Sequence, residues 1–262
     1  MKISKKIISG LFGLVLLLSA CEKFLDVDRP DNLIKDNFWL NREQVKSSLN
    51  GLYTSLNSSV SLFHAWGDSR SSLYAPGVGD EFTGQRREFL LHDIYPTNNL
   101  LSWENVYESI GWTNAFIKNA PTALKNDPTF TEAELKNMLG EAYAVRALNY
   151  FYLVRAFKEV PILKDPYESD TQKINIAASS ETDVLDFIEE DLEFALEAVP
   201  DTYTNFNERY GRITKNAVRA LWADVKLWRN DYEACIELCN VIDASYSSSL
   251  VSPQSWYSIF NP

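Results

Sequence analysis

The chain has 262 residues, 45% of them hydrophobic, with 36 acidic against 25 basic side chains and a net charge of −11. That length and apolar content can bury a large core in one domain or two. The charge disfavours nucleic-acid binding, which needs clustered Lys and Arg to displace phosphate counterions, whereas the densest basic spot after the N-terminal segment is Arg86-Arg87.

In chain order, the first element is an apolar run of twelve residues, Ile7 to Leu18. A spanning helix needs about 20. Lys2, Lys5 and Lys6 precede the run and Ser19-Ala20 follow it, the order of a secretory signal, so residues 1–20 are expected to be removed. Removal takes three lysines and leaves 22 basic against 36 acidic side chains, or −14. The segment ends Leu18-Ser19-Ala20-Cys21, which resembles the bacterial lipobox, where the cysteine thiol is acylated before cleavage. Multiple acylation of Cys21 would hold the protein on a membrane, since one chain alone binds only marginally. Residues 21–40 mix charges with Pro30 without a period and read as an extended tether. Its DVDRPDN cluster lacks the glycine and terminal glutamate of an EF-hand loop, and no metal site is expected.

Helices follow. Asn41 and Gln44 cap the first, with Val45, Leu49, Leu52, Tyr53 and Leu56 at helical spacing. Residues 58–101 break the pattern: long, polar, rich in Gly and Ser and studded with aromatics, they read as an irregular insertion of the kind that carries function. Ser102 caps the next helix, with Trp103, Val106, Ile110 and Ile117. Thr131 and Glu134 make a capping box for the longest one, whose apolar line runs from Leu135 to Ala156 and which should end near Lys158, before Pro161. Ser180 starts a fourth, carrying Val184, Ile188, Leu192 and Ala195, and Pro200 stops it. Thr214 starts a fifth, which turns at Asn230 into a sixth almost without a loop, forcing an antiparallel hairpin.

That hairpin looks like a tetratricopeptide unit, with Asp231-Tyr232 opening its second helix and Cys235 at the small-residue position. Leu139-Gly140-x-x-Tyr143 is a second partial match. The expected fold is therefore all-α, with tetratricopeptide-like helices over 102–245. Cys235 and Cys239, four apart on one helix, suit a disulfide poorly and are expected to be buried thiols.

Catalytic signatures are absent: there is no His-Glu-x-x-His, Gly-x-Ser-x-Gly or Gly-x-x-x-x-Gly-Lys-Ser/Thr. GVGDEFTG has glycines but no following Lys, so it reads as a loop. Glu189-Glu190 reads as a solvated helix face, and no enzyme activity or cofactor is expected.

The lipobox and helix order occur together with FWLNREQVKSSLNGLY, WENVYESIGWTNAFI, LGEAYAVRALNYFYLVRAFKEVPIL, SSETDVLDFIEEDLEFALEAVP and GRITKNAVRALWADVKLWRNDYEACIELC. These stretches resemble the SusD/RagB-type lipoproteins of Bacteroidetes, from Cys21 to about Ser245. The resemblance implies a lipid-anchored, surface-exposed outer-membrane protein. Such a protein captures an oligosaccharide for a TonB-dependent transporter of the SusC type and is not an enzyme. Members of the family are longer, and 41–262 corresponds to the family's N-terminal part, with the C-terminal half expected to be missing. Sugar binding needs flat aromatic faces with amide and guanidinium donors at the rim. Tyr95-Pro96-Thr97-Asn98 resembles the family's aromatic and Asn pair, and Arg70 the arginine donor. The alternatives are a helical-repeat scaffold on the envelope that binds only protein, and a truncated fragment without function.

Overall fold

The computed structural model describes residues 38–71, 74, 84–168, 172 and 175–245. The expected signal peptide 1–20, Cys21, the DVDRPDN cluster, most of the expected tether and the GVGD stretch lie outside the described residues. The described residues form nine α-helices and short 3-10 turns, with no strand among them and one isolated bridge, Val160 to Ser179. The fold is all-α.

α1 (Arg42–Trp66) starts where the sequence indicates. Asn41 Oδ1 accepts from the Gln44 N–H at 3.0 Å, and Gln44 Oε1 accepts from the Leu40 N–H at 2.7 Å. The helix runs past residue 58, so 58–66 is helical rather than irregular. The reason is tertiary: Leu62, Phe63, Ala65 and Trp66 are buried, and Phe63 stacks on Tyr152 with ring centroids 3.9 Å apart. Burying each such large side chain contributes about 1.5–3 kcal/mol, which outweighs the weak helix preference of the serines between them. The rest of the expected insertion also contains α2 (Gln85–Leu91), and 3-10 turns at Asp68–Arg70 and Asn99–Leu101.

α3 (Glu104–Asn119) begins one residue later than expected. Trp103 is its N-cap, while Ser102 Oγ accepts from the Glu104 N–H at 3.4 Å. After the single turn α4 (Ala123–Asn126), α5 (Glu132–Phe157) carries the full capping box. Thr131 Oγ1 accepts from Glu134 N at 3.2 Å and Glu134 Oε2 accepts from Thr131 N at 3.1 Å. α6 (Glu181–Ala198) is capped by Ser180, α7 (Phe206–Gly211) is short, and α8 (Lys215–Trp228) and α9 (Tyr232–Ser245) form the hairpin. Asn230 makes that turn at φ 62°, a left-handed conformation Asn tolerates better than most residues.

α5 is the central element. α6 packs along it more extensively than any other pair, α3 covers another side, and α8 rests on α6. The close approach of α5 and the end of α6 depends on Gly140. A Cβ there would lie 2.7 Å from Ala198 Cβ and 2.9 Å from Val199 Cγ1. The core has two lobes. In one, Val45 and Leu49 of α1 meet Phe116 of α3 and Leu135 and Met138 of α5. In the other, Phe63 and Trp66 meet Val106, Ile110 and Val154. The start of α1 thus lies by the start of α5 and the end of α3, so α1 and α5 run together and α3 runs against them.

The two cysteines are free, but they are not buried thiols. Cys235 is half-buried and Cys239 exposed, because α9 packs chiefly on α8 and has no buried residue of its own. Val225 of α8 is fully buried, and Trp222 packs at the edge of the large core lobe.

Candidate functional site

The three residues singled out for ligand binding all sit on turns that flank α2. Phe89 and Leu90 fix α2 to the core, 2% and 9% exposed. His92 closes the helix in the left-handed region, its N–H directed to Phe89 O and that of Asp93 to Glu88 O. The chain then turns through Tyr95 to Asn98, and Trp66 Nε1 donates to Leu100 O at 2.6 Å, tying the turn to the end of α1.

Tyr95 is 54% exposed, so more than half of the residue is open to solvent. Its hydroxyl donates to Asp93 Oδ2 at 3.1 Å, and this bond holds the phenol above its ordinary pKa range. Asn98 lies beneath it and is 4% exposed. Its amide donates to Gln85 O at 2.8 Å and to Glu88 Oε2 at 2.7 Å, and its Oδ1 accepts from Leu100 N at 2.9 Å. Both amide hydrogens are thus engaged inside the protein, and the side chain braces the turn that displays Tyr95. Arg70 is exposed on the 68–70 turn, which packs against α2 and α1. Ser69 beside it is buried and pairs with His64 Nδ1 at 3.2 Å.

Two buried ionic networks hold the helices that carry these turns, and the sequence did not announce either. Glu141, fully buried on α5, accepts from the hydroxyls of Tyr53 and Tyr203 and from Nε and Nη2 of Arg212. Arg146 forms a two-point pair with Asp191, Nε to Oδ2 at 2.8 Å and Nη2 to Oδ1 at 2.7 Å, and its Nη1 donates to Asn114 Oδ1 at 2.7 Å. Nothing within a few residues of either network signals it, because partners such as Arg146 and Asp191 are 45 positions apart. Glu189, read as part of a solvated face, is instead paired with Lys226 at 2.8 Å.

Among the described residues there is no group of three or more His, Cys, Asp or Glu side chains able to hold a metal, and no helix long and apolar enough to cross a membrane. Among the described residues, a frame of packed helices displays an exposed aromatic turn at Tyr95.

Comparison with known proteins identifies the family. The chain belongs to the SusD-like family, described as starch-binding and associating with the outer membrane, whose model matches residues 23–227. It is 26% identical over 252 residues to SusD-like protein P38 of Formosa agariphila, covering 93% of this chain and 46% of that protein. A SusD-like protein from Bacteroides fragilis has a similar structure, with TM-score 0.73 and 28% identity over 87% of this chain and 43% of that one. A laminarin-binding SusD-like protein shares the fold, with TM-score 0.67 and 22% identity over 80% of this chain and 45% of that one. The chain spans about half the length of these relatives.

Proposed function

We propose that this chain is a non-catalytic receptor, anchored to the outer membrane through acylated Cys21 and exposed at the cell surface. It captures an oligosaccharide for a TonB-dependent transporter of the SusC type. The observation that carries the reading is the family match over residues 23–227, whose description joins starch binding to the outer membrane. The turn at Tyr95 supports it with an exposed aromatic residue, a braced backbone and Arg70 on the neighbouring turn. A sugar ring stacks its apolar face on such an aromatic, with guanidinium donors reaching hydroxyls at the rim. A single open platform buries little of a ligand, so affinity is weak.

The test is retention of the purified chain on immobilised glycans, beginning with starch and laminarin. Tyr95→Ala is expected to abolish retention while leaving the helical circular dichroism spectrum unchanged. Retention that survives Tyr95→Ala removes this turn from the site, and failure of the folded parent on every glycan of a broad panel removes direct sugar binding. A protein-only scaffold is the second reading, favoured by the outward apolar residues of α9, where Tyr232 is 56% and Ile236 59% exposed.

A further inference from the structure

Among the longer helices described, from α1 to α8, each buries part of its length, whereas α9 has no buried residue. Its sequence, YEACIELCNVIDAS, is nonetheless apolar on two sides. Ala234, Cys235, Leu238 and Ile242 are half-buried, and the substantial packing of α9 is against α8 alone. Tyr232, Ile236 and Cys239, at i, i+4 and i+7, form a second stripe. All three are exposed, Tyr232 by 56% and Ile236 by 59%. Helical spacing turns Glu233 and Glu237 away from this stripe, so the first charge along it is Asp243. A helix that is apolar on more than one side belongs in an interior.

The residues that follow α9 directly have the composition to cover it. Residues 246–262 lie outside the described residues; their sequence, YSSSLVSPQSWYSIFNP, holds no Asp, Glu, Lys or Arg. Leu250, Val251, Trp256, Tyr257, Ile259 and Phe260 make it strongly apolar. A solvated tail is poor in hydrophobic residues and rich in charge, and this stretch is the reverse. Trp256 comes eleven residues after Ser245, the last of α9. Extended chain covers up to about 36 Å in that distance, whereas the 14 residues of α9 make a helix about 21 Å long. The aromatic group can therefore reach any point of the stripe.

The tether also decides between occupants. A segment joined to its contact surface by a short linker acts at an effective concentration roughly in the millimolar range. A second copy or another protein has to compete with that. An uncharged stripe gives a charged partner nothing to steer by, and the segment brings no charge that would be stranded in the contact.

We propose that residues 246–262 fold back on α9 and cover the stripe of Tyr232, Ile236 and Cys239, with Trp256 and Phe260 as the anchors. The proposal does not rest on carbohydrate binding. It closes from within the face that favours the protein-only reading, and so removes the support for that reading.

Cys239 reports the cover, because its thiol reacts only when a reagent can reach it. The full chain carrying Cys21→Ser, used so that no acyl chain is present, is treated with N-ethylmaleimide. Modification of Cys239 is followed by tandem mass spectrometry, which separates it from Cys235. Cys239 is expected to react slowly in this parent and about tenfold or more faster in Trp256→Ser/Phe260→Ser, since a thiol behind a local closure reacts in proportion to its open population. Hydrogen exchange across α5 should stay the same, which separates uncovering from unfolding. In a second measurement, a short bis-maleimide should join Ser258→Cys to Cys239 within single chains. Equal Cys239 rates in parent and variant overturn the proposal. Protection in the parent that grows with protein concentration also overturns it, by assigning the cover to a second copy. If the double variant loses its α5 protection, the cross-link decides: its formation at monomer mass upholds the contact and its absence overturns it.

Discussion

Asn98 and Tyr95 share one carboxylate oxygen. Glu88 Oε2 accepts from the Asn98 amide at 2.7 Å and from the Tyr95 N–H at 3.2 Å. Through that oxygen, α2 sets the backbone on which the exposed tyrosine stands. Asn98→Ala removes both donor hydrogens and the acceptor for Leu100 N, leaving buried groups unmet. Leaving such groups unpaired costs about 1–3 kcal/mol. The expected result is faster hydrogen exchange at amides 95–101, with α5 amides unchanged. Unaltered protection of the turn would show that something other than Asn98 holds it.

The same residue shows where sequence reading stops. The caps at Asn41, Thr131 and Ser180 were legible because a cap is a local event, in which a side-chain oxygen meets an N–H three residues on. Asn98 was legible only as a polar residue near an aromatic. That it is buried and caps the 99–101 turn depends on Gln85 and Glu88, ten or more positions earlier. The extension of α1 to Trp66 was hidden for a similar reason, since Ser58, Ser59 and Ser61 look like loop while Phe63 finds its partner at Tyr152. Glu141 sits in the middle of an apolar helix, and only the return of Tyr203 and Arg212 from more than 60 residues away makes its burial tolerable. The short helix α7, with its exposed Phe206 and Tyr210, was passed over because the reading joined the fourth and fifth helices without a helix between them.

Gly140 was read as part of a repeat signature, and its neighbours now give the reason for a glycine. Gly140→Ala would place a methyl group against Ala198, Val199 Cγ1 and, at 3.1 Å, the Val199 backbone nitrogen. Alanine ordinarily favours a helix over glycine by up to about 1 kcal/mol. Here overpacking should win, with a net loss of about 1–3 kcal/mol as α5 and α6 are forced apart. Chemical denaturation measures it, and a stabilised Gly140→Ala protein would mean the end of α6 yields freely.

The Arg146–Asp191 pair predicts a non-additive response. Arg146→Met leaves Asp191, whose side chain is 3% exposed, as a buried carboxylate without its counter-charge. Breaking a buried pair on one side costs about 3–5 kcal/mol, whereas replacing both partners by apolar groups is often neutral. The double variant Arg146→Met/Asp191→Leu should therefore recover most of the stability lost by the single one in urea denaturation. A double variant as unstable as Arg146→Met would show that Asn114 and its bond to Leu163 O, 2.8 Å, carry the larger share.

Cys21 carries the proposed attachment to the membrane. The twelve apolar residues before it are too few to span a bilayer, for which about 20 are needed, and no described helix is long and apolar enough to do so. If the protein is held at the membrane, acylation of this cysteine is the chemistry the sequence offers, and stable anchoring requires more than one acyl chain. Cys21→Ser should move the protein from the membrane fraction to the soluble one and abolish labelling by a radioactive or alkynyl fatty acid. Because residue 21 precedes the first described helix in the chain, thermal melting of the purified variant should match that of the parent. A Cys21→Ser protein that stays in the membrane fraction, together with a parent that takes no label, would place the attachment elsewhere, first of all on a protein partner.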